Sequence, residues 1–379
     1  MTDAVPVATL VTCTACGATA APGDLFCEAC GANLPDTGPA PAVPAADAEE
    51  GTAPTAAPPA PPPAATADGP ACRGCGASAD KAVEGYCGEC GMKMPAPRDH
   101  MESSHPGVGV VSDRGIRHHR NEDSFAVSVA GGRVVVLVCD GVSTTVNPDQ
   151  ASQAACDAAL AVILSADSPT DPEARMVAAH AAALAAVHTI PGEPEGEYGW
   201  PSCTFLAGDV HDGVADLATL GDCRSMWLPA EGDPEMLTVD DSWAEEKISS
   251  GALTMEEAYE HPKAHMITRW LGKDAEPDWK PRYRRFVIPG PGRLVLCSDG
   301  LWNYALTAAA VDAAAGEGDV LTVAQRLTTF ANEAGGSDNI TVAVIEVDAA
   351  PPATPVPPIE APPTQDPGVS PEEEEGQKS

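Results

Sequence analysis

The chain has 379 residues and a formal charge of −35, with 21 lysines and arginines against 56 acidic residues. Its length allows one large domain beside smaller ones, and its acidity excludes a general binder of nucleic acid or anionic membrane, whose phosphates are held by Lys and Arg. There is no run of 18 apolar residues and no basic segment leading into an apolar one, so neither a membrane span nor a signal peptide is expected and the cytoplasm is the expected compartment.

The first signals in the chain are cysteines. Eight of the thirteen repeat one pattern, Cys13-x-x-Cys16 with Cys27-x-x-Cys30 and then Cys72-x-x-Cys75 with Cys87-x-x-Cys90, with glycine after the second and fourth of each set. Two such knuckles build a tetrahedral four-thiolate zinc site, and the glycines let the backbone turn around the sulfurs. A secreted protein would use disulfides here, whereas a reducing cytosol favours metal. Units over 10–34 and 70–95 are too short to bury a core, so one structural Zn²⁺ in each should supply on the order of 10 kcal/mol of folding energy. They resemble the short zinc ribbons found at the ends of bacterial regulatory proteins. Residues 35–69 between them are almost wholly Ala and Pro, an extended and disordered spacer.

A folded domain is expected over 105–348. It opens with a strand over 108–112, a charged turn over 113–123 and a second strand over 124–129. The next run, Val134-Val135-Val136-Leu137-Val138-Cys139, is unbroken and rich in β-branched residues, which reads as a strand buried on both faces. Ala-rich helices follow over 149–165 and 172–189, then strands over 203–209, 214–220 and 225–228. Helical signals return over 242–250 and 254–261, the latter opening with the capping box Thr254-Met255-Glu256-Glu257. Strands over 282–288 and 294–298, helices over 307–315 and 320–334, and a strand over 340–347 complete the domain. Strands and helices arrive in groups instead of alternating. The expected class is therefore α+β, a four-layer sandwich of two antiparallel sheets flanked by helices. Cys139, Cys156, Cys203, Cys223 and Cys297 read as core thiols, and the Pro-rich, Glu-ended stretch 349–379 as a disordered tail.

Acids mark the strand ends. The buried strand stops at Asp140-Gly141, the 294–298 strand runs into Asp299-Gly300, and Asp338-Asn339 stands directly before the last strand. A carboxylate at the tip of a buried strand is costly unless neutralised. Any single Asp-Gly can make a turn. Three strand-edge carboxylates without matched basic residues instead point to a hard divalent cation, Mg²⁺ or Mn²⁺.

Five motifs then stand in order: Ser112-Asp113-Arg114-Gly115 with Asn121-Glu122-Asp123-Ser124, Val138-Cys139-Asp140-Gly141, Leu220-Gly221-Asp222-Cys223-Arg224, Cys297-Ser298-Asp299-Gly300-Leu301-Trp302, and Ser337-Asp338-Asn339-Ile340-Thr341-Val342. Together they resemble the metal-dependent protein serine/threonine phosphatases of the type 2C family. The resemblance implies hydrolysis of phosphoserine and phosphothreonine proteins, a partner kinase among them, by a monomer. It implies that Asp140 bridges two Mn²⁺ or Mg²⁺ ions with help from the Gly141 carbonyl. Asp299 and Asp338 would complete the second ion, Glu122 and Asp123 would order the first, and Asp222 would hold a weaker third. Two such cations roughly 4 Å apart activate a bridging water and clamp the phosphoryl oxygens.

The chain departs from the family in three places. Where the family carries a phosphate-gripping arginine stands His118, with Arg117 and Arg120 beside it as candidates for the same role. The flexible Asp-Gly-x-Gly-Gly turn is here Asp140-Gly141-Val142-Ser143-Thr144. Asn303 replaces an acid connected with the third ion. These departures leave open a second reading, a phosphatase-fold regulatory or binding module with weakened turnover. Residues 261–269 resemble the segment flanking the family's flap over the site.

Overall fold

The computed structural model describes Val11–Thr12, Thr19–Ala20 and residues 71–347, apart from Arg73, Gly74, Glu84, Lys93, Glu195 and Glu197. Cys13, Cys16, Cys27 and Cys30, the 35–69 spacer and the 349–379 tail lie outside the described residues. Within the expected first ribbon, Val11–Thr12 pairs antiparallel with Thr19–Ala20. In the second ribbon, Ala82–Val83 and Tyr86–Cys87 form a two-residue ladder, and Cys72, Ala79, Cys87 and Met94 make its small apolar cluster. So few buried groups cannot offset the entropy of ordering the segment, which leaves its stability to its thiols and whatever they bind.

The large domain opens with β1 (His100–His105), β2 (Val108–Asp113), β3 (Ser124–Ala130) and β4 (Arg133–Cys139), followed by α1 (Pro148–Leu164) and α2 (Pro172–Val187). Next come β5 (Phe205–His211), β6 (Val214–Leu220), β7 (Arg224–Pro229), β8 (Glu235–Met236), α3 (Trp243–Ser249) and α4 (Met255–Tyr259). It ends with β9 (Arg282–Val287), β10 (Gly292–Cys297), α5 (Asp299–Trp302), α6 (Ala308–Ala315), α7 (Val320–Ala334) and β11 (Ile340–Val347). One sheet has the order β9-β6-β5-β4-β3 and the other β8-β7-β10-β11-β2-β1, and neighbouring strands run antiparallel throughout.

Alternation along β4 explains its unbroken apolar sequence. Val135, Leu137 and Cys139 join a cluster with Ala151 and Ala155 of α1 and Met176 and Ala183 of α2. Val136 and Val138 join the layer between the sheets, with Leu206, Leu217, Leu294, Leu296 and Ala343. A strand with helices on one face and a sheet on the other has no polar side. A third cluster joins Val295 and Cys297 of β10 to Val323 and Leu327 of α7. The layers are thus helices, sheet, sheet, helices. The expected capping box opens α4, with Thr254 and Glu257 exchanging hydrogen bonds.

The sheet begins earlier than the sequence suggests. β1 pairs with β2 from His100↔Asp113 to His105↔Val108, ahead of the expected boundary at 105. It is a mostly exposed edge strand, so its sequence His-Met-Glu-Ser-Ser-His carries no apolar alternation to announce it.

Candidate active site

Antiparallel pairing brings the acids to one end of the two sheets. Asp123 precedes β3, whose Ser124 pairs with Cys139, so Asp123 and Asp140 leave adjacent strands side by side. Cys297 of β10 pairs with Val342 of β11, which sets Asp299 beside Asp338. Asp222 stands in the turn that carries the chain from β6 in one sheet to β7 in the other. A cavity of about 570 Å³ opens there, lined by Asp140, Gly141, Asp222, Asp299 and Asp338 among others, with no lysine or arginine among the described residues of its wall.

The two Asp-Gly pairs are not there for turns. Neither Gly141 nor Gly300 has a positive φ. A Cβ on Gly141 would lie 2.7 Å from the Glu122 carbonyl oxygen and 2.6 Å from that of Pro148, and one on Gly300 would lie 2.0 Å from the Asn339 carbonyl. Glycine is required because the acidic loops press against one another.

Neutral side chains hold the acids in place. Ser298 Oγ and Thr341 Oγ1 donate to Asp123 Oδ2 at 2.7 and 2.8 Å, and the Asp140 amide donates to Thr204 Oγ1 at 2.9 Å. Asn339 Oδ1 accepts from the Glu122 amide at 2.7 Å, and its Nδ2 donates to the carbonyls of Arg114 and Arg120. Asn303 Nδ2 donates to Asp299 Oδ2 at 3.2 Å. Asp123 Oδ1 and Asp299 Oδ1 are buried with no hydrogen-bond partner among the described residues. Of the acids, Glu122 does have a basic neighbour, Arg120, whose Nε donates to Glu122 Oε1 at 2.8 Å.

Crowding leaves its mark on the carboxyls. Burial and the Asp338 charge push Asp299 up to about 7, against the pull of Asn303. Burial, with the charges of Asp123 and Glu122, pushes Asp338 up to about 7. Asp123 rises to about 6 through burial, although the Ser298 and Thr341 hydroxyls oppose it. Asp140 and Asp222 are also held well above the usual carboxylate range, mainly by burial and then by neighbouring acids, with Arg224 pulling Asp222 back. Positive charge supplied from outside the chain would therefore favour the ionised acids.

The three candidates for gripping phosphate do not line the cavity. His118 Nε2 lies 3.1 Å from Asp338 Oδ1, so it touches the acid cluster directly. Arg120 is engaged by Glu122 and lies 3.5 Å from Asp149. The Arg117 amide donates to the Gly336 carbonyl at 3.2 Å. His265, Met266 and Ile267, from the flap-like segment, also line the cavity, with Trp270 just beyond that segment. Sequence reasoning overlooks one further group behind Asp222. Trp302 Nε1 donates to the Asp222 carbonyl at 2.8 Å, and the buried Arg224, paired with Asp240 at 2.7 Å, lies 3.7 Å from the centre of the Trp302 ring.

In the second ribbon the ligand atoms of Cys72, Cys75, Cys87 and Cys90 all lie within 4.8 Å of one another, a spacing that suits one tetrahedral ion. Cys139, Cys156, Cys203, Cys223 and Cys297 are buried free thiols, as expected.

Comparison with known proteins agrees with this geometry. Residues 13–91 match the Double zinc ribbon family. The serine/threonine protein phosphatase PstP of Mycobacterium tuberculosis is 32% identical over 240 residues, which cover 62% of this chain and 44% of PstP. The chain thus spans under half the length of that relative. The protein phosphatase PhpP of Streptococcus pneumoniae is 28% identical over 244 residues, covering 64% of this chain and 97% of PhpP. The crystal structure of the catalytic domain of PstP with two manganese ions superposes with a TM-score of 0.51 at 28% identity, covering 64% of this chain and 97% of that one. Residues 115–334, more than half of the chain, match Protein phosphatase 2C, and the chain belongs to that family.

Proposed function

We propose that this protein is a metal-dependent serine/threonine phosphatase that uses a pair of Mn²⁺ or Mg²⁺ ions, with Zn²⁺ confined to its ribbons. The observation that carries the reading is the set of crowded carboxylates facing one cavity, with no lysine or arginine among the described residues of its wall. The donor set fits hard divalent cations, because two buried carboxylate oxygens, Asp123 Oδ1 and Asp299 Oδ1, have no hydrogen-bond partner among the described residues. Among the described residues only the cysteines bring three or more ligand atoms within 4.8 Å of one another. The acids are therefore spread more widely, which suits two ions better than one.

On this reading Asp140 would be shared by the two ions, and the Gly141 carbonyl would help hold one of them. Asp299 and Asp338 would serve one ion and Glu122 and Asp123 the other. Asp222 offers a weaker place for a third. When bound, the cations acidify water and offset the charge on the phosphoryl oxygens. The chain's part is rigidity. Thr204, Ser298, Thr341 and Asn339 fix the acids so that little reorganisation accompanies binding. Arg120 is held by Glu122, whereas His118 meets Asp338, an acid of the cavity wall, and His118 is assigned to the substrate phosphate. Among the described residues no helix is long and apolar enough to cross a membrane. The proposed setting is cytoplasmic signalling, with phosphoproteins and a partner kinase as substrates.

Manganese-dependent hydrolysis of p-nitrophenyl phosphate and of a phosphothreonine peptide tests the proposal. Turnover should vanish with EDTA, return with Mn²⁺, and fall at least about a thousandfold in Asp140→Asn, on the scale expected for losing one partner of a preorganised charged site. Wild-type protein inactive at every metal concentration, or Asp140→Asn as active as wild type, would refute it.

A further inference from the structure

Between the second ribbon and β1 lies a single helical turn, Pro97–Asp99, outside the residues matched to the phosphatase family. Arg98 of this turn reaches behind the acidic loop. Its Nε donates to the Asn121 carbonyl at 2.9 Å, and its Nη2 donates to the carbonyls of Asp123 at 2.9 Å and Asp149 at 3.1 Å and to Ser124 Oγ. Its Nη1 donates to Gln153 Oε1 at 3.1 Å. Asn121 Nδ2 returns a bond to the Arg98 carbonyl at 3.1 Å.

These acceptors are not scattered. Asn121 and Asp123 are the residues on either side of Glu122, while Asp149 and Gln153 belong to α1, which follows the Asp140-Gly141 loop. One planar guanidinium therefore binds the loop carrying Glu122 and Asp123 to the helix that follows Asp140. No other side chain offers several donors in one rigid fork.

The turn is itself anchored. The Asp99 carboxylate accepts from the Ala96 amide at 3.1 Å, and the Asp99 carbonyl accepts from the Arg114 amide at 2.8 Å. On the other side, the Met94 amide donates to the Gly85 carbonyl of the ribbon at 2.8 Å, and only Pro95, Ala96 and Pro97 separate Met94 from Arg98.

We propose that Arg98 is a positioning residue for cation binding, holding the Glu122-Asp123 arm in register with Asp140. The ribbon's connecting segment thus becomes part of the phosphatase site. This rests on the metal-phosphatase reading above. Without Arg98 the arm has to be ordered by the incoming ion, so affinity for the ion falls while the chemistry at saturating metal is retained.

The test uses the full-length protein and measures Mn²⁺ binding directly, by the free-ion electron paramagnetic resonance signal, beside turnover of p-nitrophenyl phosphate. Arg98→Ala should weaken Mn²⁺ binding about tenfold, the scale expected for groups that orient metal ligands. Half-saturating Mn²⁺ for turnover should move by the same factor, with kcat at saturating Mn²⁺ within threefold of wild type. Arg98→Lys, which keeps the charge and loses the fork, should weaken binding at least threefold; it decides the matter if Arg98→Ala does not fold. Arg293 is the control, since it too donates to two backbone carbonyls, of Gly316 and Gly318 at 2.7 and 2.8 Å. Arg293→Ala should lose thermal stability without a change in Mn²⁺ affinity. Mn²⁺ affinities of the Arg98 variants within twofold of wild type overturn the proposal, as does an equal shift in Arg293→Ala. A wild-type chain that binds no Mn²⁺ overturns the phosphatase reading and this proposal with it, whereas normal wild-type binding with unshifted Arg98 variants overturns this proposal alone.

Discussion

Replacing Asp299 by Asn should make the metal-free domain more stable at pH 8, although the same change disables the site. Asp299 is raised from 3.8 to about 7 by burial and by Asp338. At about 1.4 kcal/mol per pKa unit this corresponds to roughly 4 kcal/mol against the ionised form, and partial opening to the cavity reduces it to about 2 kcal/mol. Because the folded pKa lies above the unfolded one, the folded chain keeps a proton between about pH 4 and pH 7 that the unfolded chain has released. Metal-free stability therefore falls as pH rises through that window, and the asparagine variant lacks this contribution. The difference in melting temperature, variant minus wild type, should grow from near zero below about pH 4 to about 4–8 °C at pH 8 for a domain of this size. Tryptophan fluorescence is a suitable probe, because all six tryptophans lie between Trp200 and Trp302 and report on this domain alone. Taking variant minus wild type cancels titrating groups remote from Asp299, such as the buried His180 of α2, while relief of the neighbouring acids adds to the variant's gain. With saturating Mn²⁺ the order should reverse, since the wild type binds and the variant does not. A difference that is flat with pH, or a variant less stable than wild type at pH 8 without metal, would refute the idea that burial of ionised Asp299 among other acids destabilises the metal-free domain.

Two further outcomes are expected. His118→Arg should lower KM for a phosphoester severalfold with kcat within about twofold, since a guanidinium offers a bidentate fork where imidazole offers one donor per nitrogen; an unchanged KM, with a tenfold rise in Arg120→Ala, would assign the grip to Arg120. Arg224→Met should destabilise the domain by about 3–5 kcal/mol in urea unfolding, because it strands the buried Asp240. That loss should shrink at acidic pH, where Asp240 can take up a proton, and a variant as stable as wild type at pH 8 would count against the pairing.

Much of the fold is legible in the residues themselves. A strand covered on both faces must be apolar at every position, so Val134 to Cys139 reveals its own placement and that of Asp140. The Thr254–Glu257 capping box and the cysteine spacings are equally local, since each is satisfied within a few residues of chain. The acids are readable for the opposite reason. Carboxylates at strand ends without basic neighbours conflict with burial, and such conflicts concentrate at functional sites.

Other features depend on segments far apart in sequence and only meet in the folded chain. Asp-Gly looks like a turn signal, yet Gly141 and Gly300 are needed because Glu122, Pro148 and Asn339 carbonyls lie against them. β1 has no apolar pattern because it is an exposed edge, and its backbone pairing with β2 defines it. His118, Arg117 and Arg120 look interchangeable in sequence. In the fold His118 meets Asp338, Arg120 is taken by Glu122, and none of the three lines the cavity. Arg98 carries no sequence signal at all, because its acceptors are mostly backbone carbonyls 23 to 51 residues away. Carbonyls are the same in every residue, so a site built on them is set by tertiary structure and not by side-chain identity.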